Sequence, residues 1–141
     1  GTGRKSNLTF LKDGLKNEDA GQVIFSKETI LKTQELLREV VRVGTAKRAN
    51  VNGYDICGKT STSLKYDSQK KVWTNQNKMV SFFAFFPCVN PRYIIYIGFD
   101  EPDKTEKDRV IQGGTVVAPL AGKIISEIAP LLNIKPDAGK F

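Results

Sequence analysis

Two apolar runs separated by a very short connection constrain this chain more than any other feature. Met79–Phe86 (MVSFFAFF) and Arg92–Phe99 (RYIIYIGF) are joined only by Pro87-Cys88-Val89-Asn90-Pro91. A connection of that length predicts an antiparallel hairpin. Neither run alternates cleanly between polar and apolar residues, so both read as strands covered on two faces. The fold must then supply a layer on each side of a sheet.

The flanking sequence offers two helices for those layers. Ser26 is a good N-cap, Glu28 suits the first turn of a helix dipole, and Ile30, Leu37, Val40 and Val41 recur at helical spacing from Lys27 to about Val43. Gly44 is a natural stop. A second helix is predicted from about Pro119, with Leu120, Ile124, Ile125, Ile128 and Leu131 on its apolar side and Pro130 near its end. Tyr54–Ser63 reads as a further strand, weakened by Gly58. Leu64–Lys78 is polar and reads as a long loop, in which Trp73 and nearby Tyr66 serve either packing or a partner. Residues 1–21 form a polar lead-in with a short strand-like stretch at Leu8–Leu11, and residues 100–108 a charged loop. The order helix, strand, strand, strand, helix gives an α+β chain, an antiparallel sheet flanked by helices. Three strands and two helices do not readily cover two apolar faces and pair both edges. Part of a larger domain is therefore expected, against the alternative of a small complete α+β domain.

Composition removes several chemistries. There is no histidine, which excludes Ser-His-Asp and Cys-His catalysis and histidine-ligated metals. Two cysteines, Cys57 and Cys88, are too few for a cysteine zinc site or a disulfide scaffold. Counted along the hairpin they fall several residues out of register, so they are expected as buried free thiols. No metal or cofactor is implied. The net charge of +7 favours anionic partners. A nucleic-acid-binding module is the alternative that this charge raises, but Lys47-Arg48 and Lys70-Lys71 are isolated pairs without interleaved aromatics, so no nucleic-acid partner is expected. The longest apolar stretch, Met79–Val89, is well short of the ~20 residues of a membrane-spanning helix. A start at Gly1 rather than Met reads as a processed or excised piece.

Gly53–Thr60 (GYDICGKT) fits the letters of a phosphate-binding loop. That loop must follow a strand and open a helix, and Ser61-Thr62-Ser63 begins no helical pattern. A different motif fits better. Gly58-Lys59-Thr60-Ser61-Thr62 resembles the Lys-Thr-Gly-Thr box of penicillin-binding proteins. Gly44-Thr45-Ala46-Lys47-Arg48-Ala49 resembles the connector that precedes the box. Ser81–Pro87 with Asn90–Tyr93 resembles the hairpin that follows it, and Gly113–Pro119 the start of the last helix. From about Gln22 to Ala129 the order resembles that of a class B, monofunctional penicillin-binding protein.

The resemblance implies a peptidoglycan D,D-transpeptidase, which cross-links stem peptides through an acyl-serine intermediate and binds β-lactams. Such enzymes need a Ser-x-x-Lys nucleophile, a Ser-x-Asn box and the lysine box. Only the last has a counterpart, because Ser68-Gln69-Lys70-Lys71 lies in a polar segment after it. Residues 1–141 thus read as the C-terminal part of one transpeptidase domain, inactive alone. Lys59 and Thr62 are the implied catalytic residues, with Thr60, Ser61 and Thr62 on the substrate. Ser61 departs from the family glycine. Implied partners are the stem peptide, β-lactams, the missing N-terminal part of the domain and cell-wall synthesis proteins, with self-association through uncovered sheet. The implied location is the periplasmic face of the bacterial inner membrane, on an anchor outside this chain. A β-lactam sensor shares the same boxes and is the alternative.

Overall fold

The computed structural model describes residues 3–5, 21–103 and 110–136. The predicted strand at Leu8–Leu11 and most of the charged loop at 100–108 lie outside the described residues. Helix α1, Lys27–Arg42, starts as its sequence dictates, since Ser26 Oγ accepts from the Thr29 amide at 3.1 Å. It stops where the Val43 and Gly44 amides both return to the Glu39 carbonyl. Helix α2, Ala118–Leu131, carries Pro119 in its first turn and follows a wide π turn at Gly113–Val117. A 3-10 turn at Lys47–Ala49 leads out of α1.

The three strands are β1 (Cys57–Asp67), β2 (Val72–Phe86) and β3 (Tyr93–Asp100), antiparallel in the order β1-β2-β3. The expected loop at Leu64–Lys78 is corrected here. Its residues extend β1 and β2 into a long hairpin closed over Ser68–Lys71. Asp67 makes the turn, its Oδ1 accepting from the amides of Gln69 and Lys70 at 3.0 Å, and Lys71 takes the left-handed conformation with φ 53°. Tyr66 then stands opposite Trp73, with ring centroids 5.5 Å apart, edge to face. The register shifts between Leu64 and Lys65, where β2 carries residues 75–77 without counterparts on β1.

Alternation along β2 assigns the two faces. Val80, Phe82, Ala84 and Phe86 are fully buried in a core with Val117, Ala121, Ile125 and Ala129 from the α2 layer. Burying Phe82 and Phe86 contributes about 2–3 kcal/mol each in apolar transfer. Phe85 points the other way, towards Ile30 and Leu37 of α1. The expectation that both faces of the hairpin are covered fails on β3, where Ile94 is 70% and Tyr96 59% exposed. Helix α1 lies over β1 and leaves that face of β3 open. The stretch Gly113–Leu131 is long and apolar enough to cross a membrane by length and composition. One face of it, Ala118, Ala121, Ile125 and Ala129, is buried in this core.

Candidate active-site groove

Among the described residues, strand β1 forms one margin of the sheet, with β2 as its neighbour. Its entry is held tightly. Cys57 and Cys88 form a disulfide with Cα atoms 5.1 Å apart, which corrects the expectation of free thiols. The register count along the strands misled because Cys88 lies beyond the end of β2. After the cis Phe86–Pro87 bond the chain turns back, and the Cys88 amide donates to the Asp55 carbonyl at 2.9 Å, beside Cys57. Helix α1 clamps the same place. Gln34, 8% exposed, donates from Nε2 to the Cys88 carbonyl at 2.7 Å, and its own carbonyl lies against the Cys57 sulfur at 3.0 Å. One turn on, Arg38 makes a two-pronged pair with the buried carboxylate of Asp55, both contacts 2.7 Å. The hydrogen bond to Asp55 raises the Arg38 pKa above its ordinary value, against the opposing effect of partial burial.

From this anchor β1 runs out along its margin. Gly58 is required there, because a Cβ would come within 2.7 Å of the Phe82 ring and 2.8 Å of the Phe83 carbonyl oxygen. Next come Lys59, exposed, and Thr60, 8% exposed. Lys59 Nζ donates back to the Thr60 carbonyl at 2.7 Å, which lays the side chain along the strand and leaves two N–H bonds for other acceptors. Thr60 Oγ1 donates to Thr45 Oγ1 at 3.0 Å, and Thr62 Oγ1 accepts from the Gly113 amide at 3.0 Å. Strand alternation puts both threonines on one face.

These residues line an open groove of about 450 Å³, bounded by Gly44, Thr45, Lys47, Arg48, Lys59, Thr60, Thr62, Gln112, Gly114 and Thr115. Three of them are cationic and none is acidic, so the groove suits an anionic group. Arg48 Nη1 reaches the Thr115 carbonyl at 3.4 Å, which draws its two walls together.

A family model described as the penicillin-binding protein transpeptidase domain matches residues 3–126. The chain belongs to the penicillin-binding protein transpeptidase family. Stage V sporulation protein D of Bacillus subtilis is 36% identical over 117 residues, 83% of this chain and 17% of that protein. The peptidoglycan D,D-transpeptidase FtsI of Buchnera aphidicola is 36% identical over 126 residues, 88% of this chain and 21% of that protein. The chain therefore spans about a fifth of the length of these curated relatives. Among solved structures, the transpeptidase domain of penicillin-binding protein 3 from Burkholderia pseudomallei, in its apo form, superposes with a TM-score of 0.70 at 29% identity, over 83% of this chain and 34% of that one. Penicillin-binding protein 3 of Mycobacterium tuberculosis, complexed with ampicillin, shares the fold at TM-score 0.70 and 24% identity, over 84% of this chain and 27% of that one. The fold expected from sequence, the helix-flanked antiparallel sheet of penicillin-binding transpeptidases, is borne out.

Within this transpeptidase-family chain the structure brings Lys59, Thr60 and Thr62 to one groove. Ser61 is exposed and is not among the groove residues. Sequence reasoning gave no role to Thr45, Gln112 or Thr115, which complete the walls. The available signal was their place beside glycine, in Gly44-Thr45 and Gly114-Thr115, where a chain can approach a strand closely.

Proposed function

We propose that residues 1–141 form the C-terminal part of a serine-type peptidoglycan D,D-transpeptidase domain and supply the lysine-bearing wall of its cleft. The observation that carries the reading is a strand edge, unpaired among the described residues, on which Lys59 and Thr62 meet a groove lined by cations. An extended peptide can add to such an edge by main-chain hydrogen bonds.

In this reading a serine from the rest of the domain attacks the carbonyl carbon of the penultimate D-Ala of a stem peptide. The C–O bond forms, the peptide C–N bond breaks, and the last D-Ala leaves with the proton gained from the serine hydroxyl. An amine of a neighbouring stem then displaces the serine oxygen, which recovers a proton, and the cross-link is an amide. Lys59 supports proton transfer and draws the substrate carboxylate into the groove. Thr60 and Thr62 face that carboxylate, and the Thr62 amide is one oxyanion donor, a contact typically worth ~3 kcal/mol. Ser61 sits on the substrate-bearing strand where the family favours glycine. β-Lactams enter as mimics that leave the serine acylated. The working location is the periplasmic face of the inner membrane, with the anchor on another part of the protein.

Labelling with a fluorescent penicillin tests the reading. The longer protein carrying this segment and a Ser-x-x-Lys helix labels, residues 1–141 alone do not, and Lys59→Ala in the longer protein slows labelling about a hundredfold. Labelling of the isolated chain, or undiminished labelling of the Lys59→Ala protein, overturns it.

A further inference from the structure

The outer arm of the β1–β2 hairpin carries an aromatic pair that the core does not use. Trp73 is 67% and Tyr66 52% exposed, although their rings meet at 5.5 Å. Leu64 and Val72 beside them are exposed as well. Apolar and aromatic surface kept in water on a projecting arm marks a contact region. Two observations bear on what it contacts. Strand β1 runs unbroken from Cys57 to Asp67, and the extra residues 75–77 fall on β2. Alternation along β1 therefore puts Tyr66 on the face that carries Thr60 and Thr62, and its cross-strand partner Trp73 shares that face. The groove and the aromatic pair thus lie along one margin and one face of the sheet. The inner end of that margin is closed, because Cys57 is fully buried against the Gln34 carbonyl of α1. A peptide whose terminal carboxylate sits by Lys59 and Thr62 then extends outward only, antiparallel to β1, towards Tyr66.

Length decides which part of the substrate meets the pair. Along an antiparallel strand Tyr66 lies about 14 Å beyond Thr62, and a stem of about five residues laid alongside covers about the same distance from its first residue to its last. The first residue of a peptidoglycan stem is the one attached to the glycan. We propose that Tyr66 and Trp73 form a sugar-binding subsite, which takes an N-acetylated amino sugar of the glycan at the root of a stem bound along β1. The inference rests on the transpeptidase reading and deepens it, naming a second portion of the same substrate and the residues that hold it. A sugar ring has a C–H face and a polar rim. Its C–H face stacks on the electron-rich face of an indole or phenol ring. Ser68 and Gln69, exposed in the turn beside the pair, offer donors and acceptors to hydroxyl and acetamido groups on the rim.

The test uses the longer protein and two soluble competitors of fluorescent-penicillin labelling, a bare stem peptide and the same stem carried on an N-acetylated disaccharide. With the wild-type protein, the sugar-bearing stem is expected to halve the labelling rate at about a tenfold lower concentration than the bare stem, the effect of a stacking contact. Trp73→Ala removes that advantage and leaves protection by the bare stem and unprotected labelling as they were. Trp73→Tyr keeps most of the advantage, and Tyr66→Ala loses part of it. Equal protection by the two competitors of the wild-type protein, or none by the sugar-bearing stem, overturns the proposal without recourse to any variant and leaves the arm to a protein contact. Equal loss on both competitors in Trp73→Ala overturns it too, since that marks packing or a peptide contact. An advantage that survives in both alanine variants places the sugar elsewhere. Failure of the wild-type longer protein to label at all overturns the transpeptidase reading, whereas normal labelling without a sugar advantage overturns this proposal alone.

Discussion

The β1–β2 hairpin has two halves of opposite character. Its inner half, Cys57–Thr62 against Val80–Phe85, is closed by the Cys57–Cys88 bond, backed by fully buried Val80 and Phe82, and gripped by Gln34 and Arg38 of α1. Its outer half, Lys65–Asp67 against Val72–Thr74, rests on one exposed aromatic pair, Tyr66 and Trp73, and on ion pairs from Lys65 to Asp100 and Glu101 at 2.7 and 2.8 Å. The strands are continuous across the boundary, yet the forces holding them are not. The groove residues Lys59, Thr60 and Thr62 fall in the half with covalent and buried restraints, where side-chain positions can be kept to the tolerance that a binding site requires.

Four measurements can break or sharpen that contrast. Cys57→Ser is expected to act most strongly. The bond closes a sequence separation of 31 residues, and losing it costs about 3–4 kcal/mol in the chain-entropy account, read by urea unfolding against the unreduced parent. An unchanged midpoint would place the anchorage of β1 elsewhere. Asp55→Asn comes next, at about 2 kcal/mol. Its Asp55 side chain is 5% exposed, but Arg38 is 29% exposed and can rehydrate in part, so the loss falls below that of a fully buried pair. Trp73→Ala should cost only about 0.5–1 kcal/mol and leave penicillin labelling of the longer protein unaltered. A larger loss would make the outer half part of the same cooperative unit. Lys65→Met has the smallest effect. Hydrogen bonds to Asp100 and then Glu101 raise the Lys65 pKa, so its contribution is full below the ordinary lysine pKa and disappears as pH rises through the folded value. Alkaline titration of stability should therefore be flatter in the variant, and identical curves would remove the ion pairs from the account.

The same boundary separates what was legible in the sequence from what was not. Apolar runs disclosed β2, β3 and both helices, because buried faces demand regular spacing of apolar residues. The outer hairpin was hidden because solvent surrounds it. Lys65, Ser68, Gln69 and Lys70 read as loop, while the opposed Tyr66 and Trp73 and the turn-making Asp67 were the local signals of continued pairing. Lys59, Thr60 and Thr62 were found through a contiguous motif. Thr45 was not, since 15 residues separate it from Thr60 and only the folded chain joins their hydroxyls. The disulfide escaped for a related reason. Strand pairing predicts neighbours only while both strands continue, and Cys88 lies past the turn at Pro87.

The shift in pairing between Leu64 and Lys65 has a consequence for how such chains can vary. Beyond it, the ladder has already lost strict correspondence with the segment that carries Lys59. Lengthening or shortening the distal arm by a few residues therefore leaves the frame of the groove where it was. That arm is a place to splice in foreign sequence, such as an epitope or a reporter loop, without disturbing the groove.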